Sequence, residues 1–265
     1  MKRFLGLAIL AAMSPLGFAA GTITAGDATY FVDSGLGATD RTGTGAGNSN
    51  FDPGAVWVDQ LFQNWWWFRG PGDTREFALS NRISETYSGN TGNMLYRESA
   101  AGYSFDAALN IQLFDGANNG EAAFYWTVVI TNTGQSQLDL ALFNYLDLDL
   151  GITGSTADRA ELLAPGVMRI WDPTDLTTAI FHGPGATFFR NGVFAANRLT
   201  LTDTAITNFG NEGNPFGPGD YTGGWQWNLS IAPGESVTVY ESLGLVPEPS
   251  SLALLGLAAF ALRRR

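Results

Sequence analysis

Three consecutive tryptophans with an arginine two residues later form the stretch of this sequence that most clearly suggests ligand chemistry. The segment reads DQLFQNWWWFRG, and its arginine is Arg69. Successive side chains of a β-strand point to opposite faces, so Trp65 and Trp67 share one face and Trp66 takes the other. The apolar side of a sugar ring stacks on an exposed aromatic ring. We therefore expect Trp66 to be structural, and Trp65 and Trp67 to line a surface groove for a glycan with Arg69. The alternative is an outer face covered by a long loop, with Arg69 stacked over Trp67.

The segment NYLDLDLG places two carboxylates, Asp147 and Asp149, on one face of a predicted strand. Residues i and i+2 of a strand lie roughly 7 Å apart. Such a pair could hold a hard cation such as Ca²⁺, act as an acid/base pair, or simply face solvent. Asp147 and Asp149 are therefore candidate metal ligands, and the sequence leaves the three alternatives open.

Cysteine and histidine usage excludes several kinds of catalytic site. The chain has no cysteine and a single histidine, His182. Thiol catalysis, cysteine-ligated zinc and any metal site with two imidazoles are therefore excluded. His182 has no evident serine or aspartate partner in the sequence, so we predict no catalytic residues.

The charge of the chain limits its partners. Residues 21–246 contain nine arginines and no lysine against 24 acidic residues, a net charge of −15. Such a surface repels nucleic acid and anionic lipid headgroups, so we expect neither as a partner. Neutral glycans and divalent cations remain compatible with it.

Short apolar segments separated by glycine-rich turns indicate the elements that position these residues. The segments FDAALNIQLF and WQWNLSI alternate apolar and polar residues, which is typical of strands with one buried face. We predict that VTVYESLGL pairs with WQWNLSI across the turn APGES. We also predict a hairpin of Phe124–Thr131 with Leu138–Leu150. No helical period of ten residues occurs outside the termini, so residues 21–246 are predicted to form one antiparallel β-sandwich domain, with long polar loops at 33–54 and 208–224.

The first twenty residues have the layout of a secretory signal peptide. A basic start at Lys2 and Arg3 precedes an apolar stretch, and small residues follow at Ala19 and Ala20. This order predicts a signal helix over residues 1–20 that signal peptidase removes on export.

The chain ends on a second apolar segment with basic residues. Leu252–Leu262 would span about 16 Å as a helix, against a hydrocarbon core of about 30 Å. It is therefore short for a permanent span, and the three arginines that follow it favour the cytoplasmic side during export. We expect contact with the inner membrane to be transient.

The order of the C-terminal features resembles the PEP-CTERM sorting signal of Gram-negative bacteria. Pro247, Glu248 and Pro249 precede the apolar helix, and Arg263, Arg264 and Arg265 end the chain. The resemblance covers residues 247–265 and implies removal by an exosortase, a membrane cysteine protease. It further implies an extracellular or cell-surface product, often associated with exopolysaccharide and biofilm. It assigns no residue of the domain a role.

The sequence therefore predicts an exported, non-catalytic component of the matrix or one associated with exopolysaccharide. One alternative is a polysaccharide-active enzyme on the same scaffold, with Asp147, Asp149, Arg69 or His182 as participants. Another is a purely structural matrix protein without a ligand.

Overall fold

The structure, a computed structural model, describes residues 21–32, 41–42, 48–54, 59–151, 156–174 and 177–247. The predicted signal peptide and the sorting signal beyond Pro247 lie outside this part of the chain. The described residues form strands and one helix, α1 (Phe194–Thr202). The strands are β1 (Gly21–Ala25), β2 (Ala28–Val32), β3 (Ser49–Asp52), β4 (Leu61–Arg69), β5 (Phe77–Ala78), β6 (Arg82–Ser88), β7 (Thr91–Ala100), β8 (Tyr103–Asp115), β9 (Ala122–Asn132), β10 (Leu138–Leu148), β11 (Asp158–Ala164), β12 (Val167–Asp172), β13 (Thr177–His182), β14 (Phe188–Gly192), β15 (Phe216–Gly219), β16 (Thr222–Ile231) and β17 (Ser236–Pro247).

Two antiparallel sheets form the sandwich. The five-stranded sheet has the order β14-β16-β10-β4-β5, and the nine-stranded sheet has the order β15-β11-β12-β13-β17-β9-β8-β7-β6. A three-stranded sheet of β1, β2 and β3 accompanies them, and its Tyr30 ring packs 4.7 Å from Phe124 of the nine-stranded sheet. The predicted all-β, antiparallel sandwich is confirmed.

Two predicted strand pairings are wrong, although their strands exist. The chain crosses from one sheet to the other between β9 and β10, and again between β16 and β17. As a result β9 pairs with β17 in the nine-stranded sheet, and β10 pairs with β16 in the five-stranded sheet. The Asn132 side chain ties the two crossings together by donating hydrogen bonds to the carbonyls of Ser136 and Ile231, each 2.8 Å long. In either sheet a strand buries one face against the opposite sheet, so the alternation of apolar residues is the same for a hairpin and for a crossing.

Strand β10 is buried on nearly every residue because both of its faces are covered. Leu142 and Leu146 lie on the face turned toward the nine-stranded sheet, while Phe143 and Tyr145 lie on the outer face. On that outer face the Phe143 ring packs 5.3 Å from Phe209, which belongs to the segment after α1. The five-stranded sheet therefore has little open surface along this strand.

Helix α1 was not predicted from the sequence. Its polar residues Asn197 and Arg198 are buried, whereas its apolar residues Phe194 and Leu199 are exposed. This reverses the usual amphipathic pattern, because the helix packs on polar groups of the five-stranded sheet. Among the residues that the structure describes, no helix combines the length and apolar character needed to cross a membrane.

Candidate functional site

The three consecutive tryptophans are all fully buried. Trp66 points into the sandwich and packs 5.6 Å from Trp227. Trp65 and Trp67 lie on the outer face of the five-stranded sheet, as the strand period predicts. There Trp65 donates its indole N–H to the carbonyl of Leu79 over 3.1 Å, and the Arg198 guanidinium lies 4.9 Å above the Trp67 ring.

A network of hydrogen bonds and a salt bridge around Arg69 fixes the segment after α1, which covers part of this outer face. Arg69 forms a salt bridge with Glu76 and donates a 2.6 Å hydrogen bond to the Thr207 carbonyl. Glu76 in turn accepts the backbone N–H of Thr207 over 3.0 Å and is itself fully buried. The segment after α1 is thereby fixed to the five-stranded sheet.

The predicted exposure of Trp65 and Trp67 is therefore wrong, and the covered outer face is the correct alternative. Its details differ from the prediction, because Arg198 rather than Arg69 stacks over Trp67. Arg69 does line a surface groove of about 390 Å³, but its companions there are residues such as Asp139, Asn208 and Asn228. Among the described residues, no tryptophan lines that groove.

Asp147 lies in a buried, acidic environment. Its carboxylate accepts a hydrogen bond from the Tyr145 hydroxyl, with 2.9 Å between the two oxygens. Burial, helped by the negative charges of Asp220 and Asp149, raises the pKa of Asp147 to about 7, although the Tyr145 hydrogen bond and Arg198 act in the opposite direction. Within the described residues, no group of three or more His, Cys, Asp or Glu side chains is placed to hold a metal ion. A cation at Asp147 and Asp149 stays a prediction.

An open face with exposed aromatic rings lies on the other side of the sandwich, on the outer surface of the nine-stranded sheet. The exposed fractions of Phe114, Tyr125 and Tyr240 are 41%, 49% and 53%. Phe114 and Tyr125 meet edge to face with their ring centroids 5.2 Å apart. We call the groove that these three rings border the aromatic groove.

Strand register builds the floor of the aromatic groove. Gln112 of β8 is paired with Tyr125 of β9, which is paired with Ser242 of β17, which is paired with His182 of β13. These four side chains therefore form one row across four neighbouring strands. Tyr240 lies two residues from Ser242, on the same face of β17.

The aromatic groove is about 410 Å³ in volume and its open surface is uncharged. Burial lowers the pKa of His182, so the imidazole is neutral at pH 7. Glu241 borders the groove through its strand, but its side chain is only 1% exposed because it points into the sandwich. The groove thus offers aromatic faces flanked by amide, hydroxyl and imidazole groups. These groups can stack on an uncharged ligand and hydrogen-bond to it.

The structure does not bring the four residues of the enzymatic alternative together. Asp147 and Arg69 lie near opposite ends of the paired strands β10 and β4, with six residues of register between them. His182 lies in the nine-stranded sheet, on the outer face. No shared active site of these residues exists in the described part of the chain.

The groove residues were not predicted, because Phe114, Tyr125 and Tyr240 lie on three different strands and form no local sequence motif. A usable signal exists, since Tyr125 and Tyr240 occupy positions of their strands where the alternation calls for a polar residue. An aromatic residue on the solvent face of an alternating strand is a better indicator of an open platform than three aromatics in a row.

Comparison with protein-family models finds one short match. Residues 245–265 match the model described as the PEP-CTERM protein-sorting motif. The chain carries this sorting motif. The motif implies an exported protein that an exosortase-like protease processes, which confirms the resemblance noted in the sequence. No curated protein matches the chain.

Several solved structures share the fold. A proposed aldose 1-epimerase from Escherichia coli K12 superposes with a TM-score of 0.58 at 13% identity, covering 86% of this chain and 99% of that protein. A galactose mutarotase-like protein from Lactobacillus casei gives a TM-score of 0.52 at 9% identity, with 86% and 100% covered. A bacterial glucoamylase complexed with acarbose gives 0.57 at 9% identity, covering 91% of this chain but 34% of that enzyme. At these identities the likeness shows the fold alone.

Proposed function

We propose that this protein is a non-catalytic component of the extracellular matrix that binds an uncharged exopolysaccharide through the aromatic groove. Signal peptidase removes residues 1–20, and an exosortase-like protease removes the sorting signal after a transient stay in the inner membrane. The product then acts outside the cell or on its surface. The matched sorting motif supports this route.

The observation that carries the binding function is the set of three exposed rings on an open sheet face. A large aromatic side chain normally gains about 1.5–3 kcal/mol from burial, so exposing three together on one face is costly unless a ligand covers them. Phe114, Tyr125 and Tyr240 surround hydrogen-bonding groups rather than an apolar patch. That mixture suits a sugar, which has apolar ring faces and hydroxyl edges.

Charge favours an uncharged glycan over an anionic one. The domain has a net charge of −15, and none of the nine arginines lines the aromatic groove. A uronic acid polymer would meet repulsion there without a compensating cation. A neutral polymer meets none.

A second candidate function is a sugar-processing enzyme, which the fold favours. The superposing structures include a proposed aldose 1-epimerase and a glucoamylase. Of the described residues that line the aromatic groove, His182 alone has a side chain able to exchange protons near neutral pH, since the Glu241 carboxyl faces inward. Acid/base work on a sugar commonly needs two such groups, which is why binding is preferred.

Binding and turnover are separated by one pair of assays on the purified full-length protein. Affinity electrophoresis in gels containing neutral polysaccharides or the producing cells' own exopolysaccharide should retard the wild-type protein. The same polymers, incubated with the protein, should release no new reducing ends, and free aldoses should mutarotate at the uncatalysed rate. Retarded migration together with release of reducing ends or faster mutarotation would show that the protein is an enzyme. Neither binding nor turnover would indicate a structural protein without a ligand.

A further inference from the structure

Two buried aspartates face each other across neighbouring strands of the nine-stranded sheet. Arg159 of β11 is paired with Trp171 of β12, so the next residues outward, Asp158 and Asp172, stand opposite each other at the strand ends. Both side chains point into the protein, with 0% and 1% of their surface exposed. Opposed residues of an antiparallel pair have Cβ atoms about 5 Å apart. Two carboxyl groups are therefore held side by side away from solvent.

Each carboxyl group has one oxygen fixed and one oxygen without a partner. Asp158 Oδ2 accepts the backbone N–H of Tyr221 at 3.4 Å. Asp172 Oδ1 accepts the backbone N–H and the hydroxyl of Thr174, both at 2.6 Å. Asp158 Oδ1 and Asp172 Oδ2 are buried and accept no hydrogen bond. The fixed oxygens orient the carboxylates and leave the other two available to a shared partner.

The surroundings of this pair are acidic. Among the described residues, no arginine forms a salt bridge with Asp158 or Asp172, whereas the negative charges of Asp172, Asp220 and Asp149 all act on Asp158. Burial, together with these charges, raises the pKa of Asp158 to about 7. Like charges placed directly opposite in a sheet are destabilising, so the arrangement calls for a positive charge between them.

We propose that Asp158 and Asp172 bind one divalent cation, Ca²⁺, through their two unpartnered oxygens. The donor atoms are oxygens only, which suits a hard cation and not a transition metal. Two carboxylates are a ligand set of low charge for Ca²⁺, so we expect a dissociation constant in the range of extracellular modules, about 10⁻⁴–10⁻³ M. An exported protein meets Ca²⁺ at such concentrations.

The cation joins β11 to β12, which continues into β13 and the His182 side of the aromatic groove. It therefore stabilises the part of the nine-stranded sheet that carries one wall of the groove. This site uses other carboxylates than the predicted pair, in which Asp147 lies near the end of β10 and Asp149 follows that strand.

The test is a titration of the melting temperature of the full-length protein with CaCl₂ at constant ionic strength and about pH 8, which is above the pKa of Asp158. Single-site binding gives a saturating gain that follows mass action. The variants Asp158→Asn and Asp172→Asn should each weaken Ca²⁺ at least about tenfold while melting no lower than the wild type without Ca²⁺. The matched control Asp139→Asn changes the same charge at an exposed position and should keep the wild-type affinity.

Three results would overturn the proposal. One is a wild-type response to CaCl₂ no larger than that to NaCl of equal ionic strength. Another is an equal loss of affinity in the Asp139 control, which would mean general screening of acidic repulsion. The third is a response that survives in both site variants, which would place the ion elsewhere. If the two carboxyl groups share a proton instead of a cation, CaCl₂ raises the melting temperature no more than NaCl does, and the proposal is wrong.

Discussion

Replacing Asp147 by asparagine should stabilise the protein at high pH and have little effect at low pH. Burial raises the pKa of this carboxyl from 3.8 to about 7. Between about pH 4 and pH 7 the folded protein therefore holds a proton that the unfolded chain has released. Stability falls as the pH rises through this window, and above pH 7 the full cost of ionising the buried group is present.

The size of the effect follows from the pKa shift. A shift of about three units at roughly 1.4 kcal/mol each gives a cost of about 4 kcal/mol at pH 8. The amide oxygen of asparagine can still accept the Tyr145 hydroxyl, so the hydrogen bond survives the change. Allowing for the polarity of the buried amide, we expect a gain of about 2–4 kcal/mol at pH 8 and about zero at pH 4.

Urea unfolding followed by tryptophan fluorescence at both pH values measures this difference, since the chain has eight tryptophans. The control Asp139→Asn, at an exposed position, should change stability by no more than about 0.5 kcal/mol at either pH. Destabilisation of Asp147→Asn at pH 8, or an equal change at both pH values, would refute the assignment of Asp147 as a buried carboxyl that ionises at a cost.

Two further predictions concern the core and the processing of the chain. Trp67→Ala should lower the free energy of unfolding by about 3–5 kcal/mol, because it removes a fully buried indole. Phe62→Ala, at a 50% exposed site, should lower it by less than about 1 kcal/mol. Similar small losses for both variants would show that Trp67 is accessible to solvent. Intact mass spectrometry of the protein collected outside the cell should lack residues 1–20 and the C-terminal arginines, and finding Arg263–Arg265 on that product would contradict exosortase processing.

The strands themselves could be predicted from the sequence because alternation is a local property. Segments FDAALNIQLF, WQWNLSI and VTVYESLGL lie within β8, β16 and β17. Which strands pair with one another depends on contacts between residues that are far apart in the sequence. Alternation specifies that a strand has a buried face, but the connection APGES can turn within a sheet or cross to the other sheet, and it crosses here.

The prediction that Trp65 and Trp67 form an exposed glycan-binding surface was wrong for the same reason, because it depends on contacts between distant parts of the chain. The period of two placed Trp65 and Trp67 together correctly on one face. Whether that face is covered depends on α1 and on the segment around Thr207. Thr207 is hydrogen-bonded to Arg69 and Glu76, which lie more than 130 residues earlier in the chain. The opposition of Asp158 and Asp172 depends likewise on the register of β11 with β12, which no short motif encodes.

The most direct test of the proposed function is polysaccharide retention by single variants of the aromatic groove. Tyr125→Ala and Tyr240→Ala each remove a half-exposed ring, so they should leave the melting temperature nearly unchanged and weaken retention at least about tenfold, as for aromatic anchors at other binding surfaces. Phe62→Ala removes an equally exposed ring outside the groove and should keep wild-type retention. Equal retention by all three variants on a polymer that holds the wild-type protein would contradict binding at the aromatic groove.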